Sequence, residues 1–132
     1  MSKSNGLDAF RRKLSRVPKS IRTQVDAANL KSAQEFVANA RAAAPKDEHD
    51  LARTIRHHAT DTGGQIVRAG GDETTVRTPD GSYDYARAQE FGTSEHAANP
   101  YFWPIYRLFK KRWVSRRSRA LNKAFKEFSN GR

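Results

Sequence analysis

Apolar side chains fall three and four apart at Leu7, Phe10, Leu14 and Val17, a spacing that lines one face of a helix. Pro18 interrupts the run, because proline disfavours helical geometry in the residue before it and suits the first position of a new helix. A second helix is predicted over 18–44. Its inward stripe is Ile21, Val25, Ala28, Ser32, Phe36, Val37, Ala40 and Ala44, with Arg22, Gln24, Lys31, Glu35 and Arg41 facing outward. Its alanines favour helix and allow another element to approach closely. Pro45 ends it.

Residues 46–55 start polar and acidic and finish apolar, which predicts a helical turn leading into a strand. The pattern then shortens. Strands over 55–60, 65–69 and 74–78 are separated by turns at Gly63-Gly64 and Gly70-Gly71, and Pro79-Asp80-Gly81-Ser82 closes the third. This predicts a three-stranded antiparallel meander, too small to stand alone and covered by the Ala-rich helix. A short helix over 83–91 ends at Gly92, and residues 93–99 have no period. Helical spacing returns through Phe102, Ile105, Phe109 and Trp113, and again through Leu121, Ala124, Phe125 and Phe128. Between the two clusters lies Ser115-Arg116-Arg117-Ser118-Arg119, where the helix either leaves the core as an arm or bends. The fold class is α+β: a long N-terminal helix on a small antiparallel sheet, a short helix, and a long basic C-terminal helix. At 132 residues one domain is expected, 1–132, with mobile ends.

Composition narrows the picture. Apolar residues make up 36% and charged residues 30%, so the core is modest and polar surface abundant. The chain has no cysteine, which excludes disulfides and Cys-ligated metal and suits a reducing cytoplasm. No stretch has the length and apolarity of a membrane span, and the first residues lack the apolar core of a signal peptide. The net charge of +11 is unevenly spread: residues 1–45, 46–99 and 100–132 carry +6, −4 and +9. That order suits an acidic middle, with Asp72, Glu73, Asp80, Asp84 and Glu90, facing basic residues of an identical neighbour while the surplus meets a polyanion.

Catalytic chemistry finds little support. His57 and His58 are adjacent on a strand and therefore point to opposite faces, which disfavours one shared metal ion. No nucleophile elbow or phosphate-binding glycine loop is present, and nothing apolar surrounds Glu48 and Asp50. The C-terminal segment presents Lys110, Lys111, Arg112, Arg116, Arg117 and Arg119, suited to phosphate contacts that do not read sequence. Its aromatic residues keep helical spacing and read as core or interface. No DNA-reading motif accompanies them.

The ordered set Leu51-Ala52-Arg53-Thr54-Ile55, Tyr85-Ala86, Glu90-Phe91-Gly92-Thr93 and Asn99-Pro100-Tyr101-Phe102-Trp103-Pro104 resembles the neck or tail-completion (head-tail joining) proteins of long-tailed phages, minor tail protein Z type. The likeness runs from about Leu7 to Phe128, with one departure: Glu48-His49-Asp50 stands where family members often have Thr-Gly. The resemblance implies a structural protein without catalytic residues or cofactor, made in the host bacterial cytoplasm and resident in the virion neck. It implies a ring, hexameric or dodecameric, that contacts the head connector or stopper and the tail terminator or tube, and touches packaged DNA without specificity. No membrane is involved. A phage, a prophage or a gene transfer agent could be the source. Subunit or partner contacts are then expected at Asp84, Glu90, Phe91, Gly92, Thr93, Glu95, Tyr101, Phe102 and Trp103, with the six basic residues above facing DNA or an acidic partner. The alternative is a small basic DNA-binding protein acting on its own.

Overall fold

The computed structural model describes Gly6, Asp8, Arg12 and residues 18–46 and 49–131. The helix expected over 7–17, but for Asp8 and Arg12, lies outside the described residues, as does the mobility expected of that end. Helix α1 runs Lys19–Ala43 and α2 His49–Thr54; strands β1 Arg56–Ala59 and β2 Gln65–Arg68 follow, then a 3-10 turn Asp72–Thr74. Strands β3 Thr75–Thr78 and β4 Gly81–Asp84 lead into α3 Tyr85–Phe91 and finally α4 Trp103–Asn130. The architecture is α+β.

Prolines set the limits of α1. The Pro18 carbonyl accepts from Ile21 and Arg22, and Ala44, before Pro45, is extended at ψ 143°. Along α1, Ile21, Ala33, Phe36, Val37 and Ala40 are buried, whereas Val25, Ala28 and Ser32 of the expected stripe are half-buried. Phe36, Val37, Ala40 and Ala44 form one core with Leu51, Ile55, Ala86 and Tyr101. Full burial of Leu51 and Ile55 stabilises the fold by about 1.5–3 kcal/mol each.

The strands correct the meander. Among the described residues they form two separate antiparallel hairpins, β1–β2 and β3–β4. β3 does not pair with β2 because Gly70 and Gly71, at φ 85° and 143°, turn the chain into the 3-10 segment. Thr74 locks that turn from inside: its hydroxyl accepts from Gly71 N at 3.1 Å and donates to Asp84 Oδ1 at 2.7 Å. Gly70 is also confined, since a Cβ there would stand 2.8 Å from the Ala86 Cβ. In β1–β2, His57 pairs with Val67 and His58 with Ile66, so the two histidines take opposite faces.

Helix α4 neither leaves the core nor breaks at 115–119. It is continuous for 28 residues, about 42 Å, and lies antiparallel along α1. Gln24 bonds Glu127 at 2.7 Å near one end, and Phe36 meets the Phe102 and Trp113 rings at 4.8 and 5.1 Å near the other. Two side chains expected to face outward on α1 also hold other elements, Arg41 from an exposed position and Glu35 from a half-buried one. Arg41 donates both Nε and Nη2 to the Ile55 carbonyl, at 3.0 and 2.7 Å. Glu35 accepts from Trp113 Nε1 at 2.8 Å and pairs with Arg116 and Arg112, each at 3.4 Å. The half-buried indole N–H finds an acceptor in Glu35, which sits on the flank of the stripe and is long enough to supply it.

Partial burial alone would raise the Glu35 carboxyl pKa, but the Trp113 bond and the Arg116 and Arg112 charges hold it below its ordinary value. A lowered folded-state pKa stabilises the fold above the unfolded value of about 4.3 and ceases to do so as pH falls through the folded value. Wild type is therefore expected to be more stable than Glu35→Gln at pH 7, and the gap should close below about pH 4. Paired thermal melts across pH 3–7 check this; a gap independent of pH would contradict it.

Candidate assembly interface

The motif stretch from Tyr83 to Ile105 builds a hydrogen-bonded joint. Asp84 caps α3, its Oδ1 accepting from Ala86 N at 3.0 Å as well as from Thr74. Six residues later, Glu90 turns inward and is buried. Its Oε1 accepts the backbone N–H groups of Tyr101 and Phe102 at 2.9 Å each, and its Oε2 that of Trp103 at 3.0 Å. These are the amides that open α4, where helix dipole and unpaired donors favour a negative charge. Pro104 follows and has no N–H to satisfy. The carboxylate that caps α4 thus comes from α3.

Gly92 allows the chain to return to that carboxylate. It adopts φ 77°, its N–H bonds Ala88 O at 2.7 Å, and a Cβ would lie 2.9 Å from the Ala98 backbone nitrogen. The loop then folds on itself: Thr93 Oγ1 accepts from Glu95 and His96 N, and Asn99 N bonds Gln89 O at 2.7 Å. Tyr101 closes the joint by donating its hydroxyl to Ala86 O at 2.9 Å. Burial, and then the Glu90 and Asp84 carboxylates, push the Tyr101 phenol far above its ordinary pKa, so it stays a donor.

The nine residues expected at an interface therefore divide. Asp84, Glu90, Gly92 and Tyr101 serve the joint, and Phe102 packs its ring on Phe36. Phe91, 63% exposed, together with Thr93, Glu95 and Trp103, reaches the surface. Charge reversal at Asp84 or Glu90 would disturb the fold before it disturbed any contact. Of the six basic residues, Lys110, Lys111, Arg112, Arg117 and Arg119 are exposed. Arg116 is not: its side chain is 13% exposed and bonds Ser32 Oγ at 3.0 Å besides Glu35.

Two surface features were not read from the sequence. A groove of about 420 Å³ opens beside the joint, floored by Val67, Phe102 and Trp103 and rimmed by Arg56, Arg68 and Arg87. Arg56 donates to the Thr54 and Gly70 carbonyls, and among the described residues no carboxylate pairs with any of the three arginines. Arg56 and Arg68 are also direct cross-strand partners, a like-charge placement that costs stability in a sheet. The second feature is the β3–β4 hairpin, in which Val76 and Tyr83 stand opposite each other, 52% and 42% exposed. An alternation of strand residues could have shown the pair, had the second strand not been read as a turn and helix start. The groove had no sequence signal, because its arginines are scattered over three elements.

Among the described residues, no cluster of His, Cys, Asp and Glu is placed to hold a metal ion, and no helix is long and apolar enough to cross a membrane. Neither a curated protein nor a solved structure matches the chain. The family described as "Bacteriophage HK97-gp10, putative tail-component" matches residues 8–92, from before α1 to the glycine that ends α3. The match covers well over half of the sequence and includes the Glu90-Phe91-Gly92 segment of the joint, while α4 lies beyond it. The chain belongs to the HK97-gp10-like family of bacteriophage tail components and is a structural protein of the phage tail.

Proposed function

We propose that this tail component acts in the neck, where identical copies close into a ring that completes the tail and docks it to the DNA-filled head. The observation that carries the reading is the placement of α4 on the family scaffold. The Glu90 carboxylate anchors its start and α1 supports its length, while Lys110, Lys111, Arg117 and Arg119 stay exposed. Its nine basic residues face a single acidic one, Glu127, which is already bonded to Gln24. Such a helix suits the wall of a DNA channel, where contacts to phosphate hold no sequence register and let the duplex move.

Removing the gene from the producing phage or phage-like particle is expected to leave DNA-filled heads and finished tails unjoined, visible by electron microscopy. Normal infectious particles would overturn the reading. The same exposed basic residues favour a second reading, a DNA-binding protein acting alone. That reading requires tight binding of the purified chain to duplex DNA, with a steep loss of affinity on adding salt, together with normal particles after gene removal.

A further inference from the structure

We propose that the β3–β4 hairpin of one copy seats in the arginine-rimmed groove of the next, an inference that rests on the ring reading above. An isolated two-stranded hairpin is marginal in water, and Val76 and Tyr83 leave an apolar cross-strand pair open to solvent. The hairpin does not fill the groove of its own copy: it departs from the rim at Gly71, and its residues 76–83 are all exposed. Chemistry matches on the two sides. The hairpin carries exposed Asp72 and Glu73 at its root and Asp80 at its turn. The groove offers three arginines that have no carboxylate partner among the described residues, over a floor of Val67, Phe102 and Trp103. Asp84 and Glu90 also line it, but both carboxylates already accept backbone N–H groups and, for Asp84, a hydroxyl. Seating the hairpin would cover the Val76–Tyr83 pair, with Asp72 and Glu73 meeting the like-charge pair of Arg56 and Arg68 and Asp80 meeting Arg87. Hairpin and groove are different patches, so the contact is head-to-tail and closes by rotation.

The chain has no cysteine, so introduced thiols report the contact directly. Particles carrying Asp80→Cys and Arg87→Cys together, both at exposed positions, are oxidised and run on a non-reducing gel. A parallel sample of wild-type particles is treated with an amine cross-linker. Disulfide-linked multimers support the contact. A ladder with the amine cross-linker but monomer with the disulfide pair overturns the hairpin contact and leaves the ring standing; monomer in both overturns the ring as well. A charge swap gives the second arm. Arg68→Glu with Arg87→Glu should lower the yield of joined particles by about tenfold or more without lowering the melting temperature, and adding Asp72→Lys and Glu73→Lys should restore it. No loss, or loss without rescue, counts against the contact.

Discussion

Replacing Glu90 by alanine is expected to lower the stability of the protein by about 3–5 kcal/mol, because three backbone donors lose one charged acceptor at a buried joint. The Tyr101 donor lies in the buried joint, and those of Phe102 and Trp103 are part-buried. For a chain of this length such a loss lowers the melting temperature by about 10 °C or more. Glu90→Gln keeps one acceptor oxygen and turns an NH₂ group toward the remaining amide, so it should fall between wild type and alanine. Thermal melts followed by circular dichroism decide the matter. A melting temperature within about 2 °C of wild type for Glu90→Ala would mean that the carboxylate does not hold α4 in place.

Phe36→Ala is expected to cost a similar amount, about 3–5 kcal/mol, through a different mechanism. Phe36 is the only α1 ring that meets three rings of the α4 region, Phe102 at 4.8 Å, Trp113 at 5.1 Å and Tyr106 at 6.3 Å, among the described residues. Truncation leaves a cavity that these larger rings cannot close without moving α4, whose position is fixed by Glu90 at one end and Gln24 at the other. Phe36→Leu keeps most of the volume and should cost about 1.5 kcal/mol or less. Urea unfolding measures both. The Trp113 indole, stacked on Phe36 at 23°, adds a local readout: its emission should shift to the red in the alanine variant as water reaches it. Equal stability of the two variants would show that ring packing does not hold the helices together.

The two substitutions act on opposite faces of one design. α4 is set by a charge at its start and by aromatic packing along its first turns, and its basic residues are thereby presented outward. Should Glu90→Ala particles fail to join heads to tails, the cause would lie in the lost position of α4. The exposed Arg68, Arg87, Asp72 and Glu73 are therefore better probes of assembly, since changes there leave these supports intact.

Much of the element plan was legible because local chemistry alone imposes it. Pro18 and Pro45 bracket α1, Gly92 ends α3, and Pro104 opens α4 at a position where no N–H is needed. The ordered Glu-Phe-Gly and Pro-aromatic residues also marked the family. What those residues do was not legible. Glu90 and Trp103 lie 13 positions apart, and only the fold shows that the first accepts from the amide of the second. The strand error has the same origin, since Gly81 to Asp84 carry turn residues, and pairing with β3 makes them a strand.

By itself the sequence determined the helical segments and their ends, the placement of positive charge at both ends of the chain, and membership of a phage tail family. The first two follow from period, proline, glycine and composition, each of which acts within a few residues, whereas the family follows from the ordered motifs and the family match. Only the tertiary structure decided which polar groups turn inward. Glu35, Glu90 and Arg116 sit on flanks from which a long side chain can reach either solvent or another element, and their choice depends on donors and acceptors far along the chain.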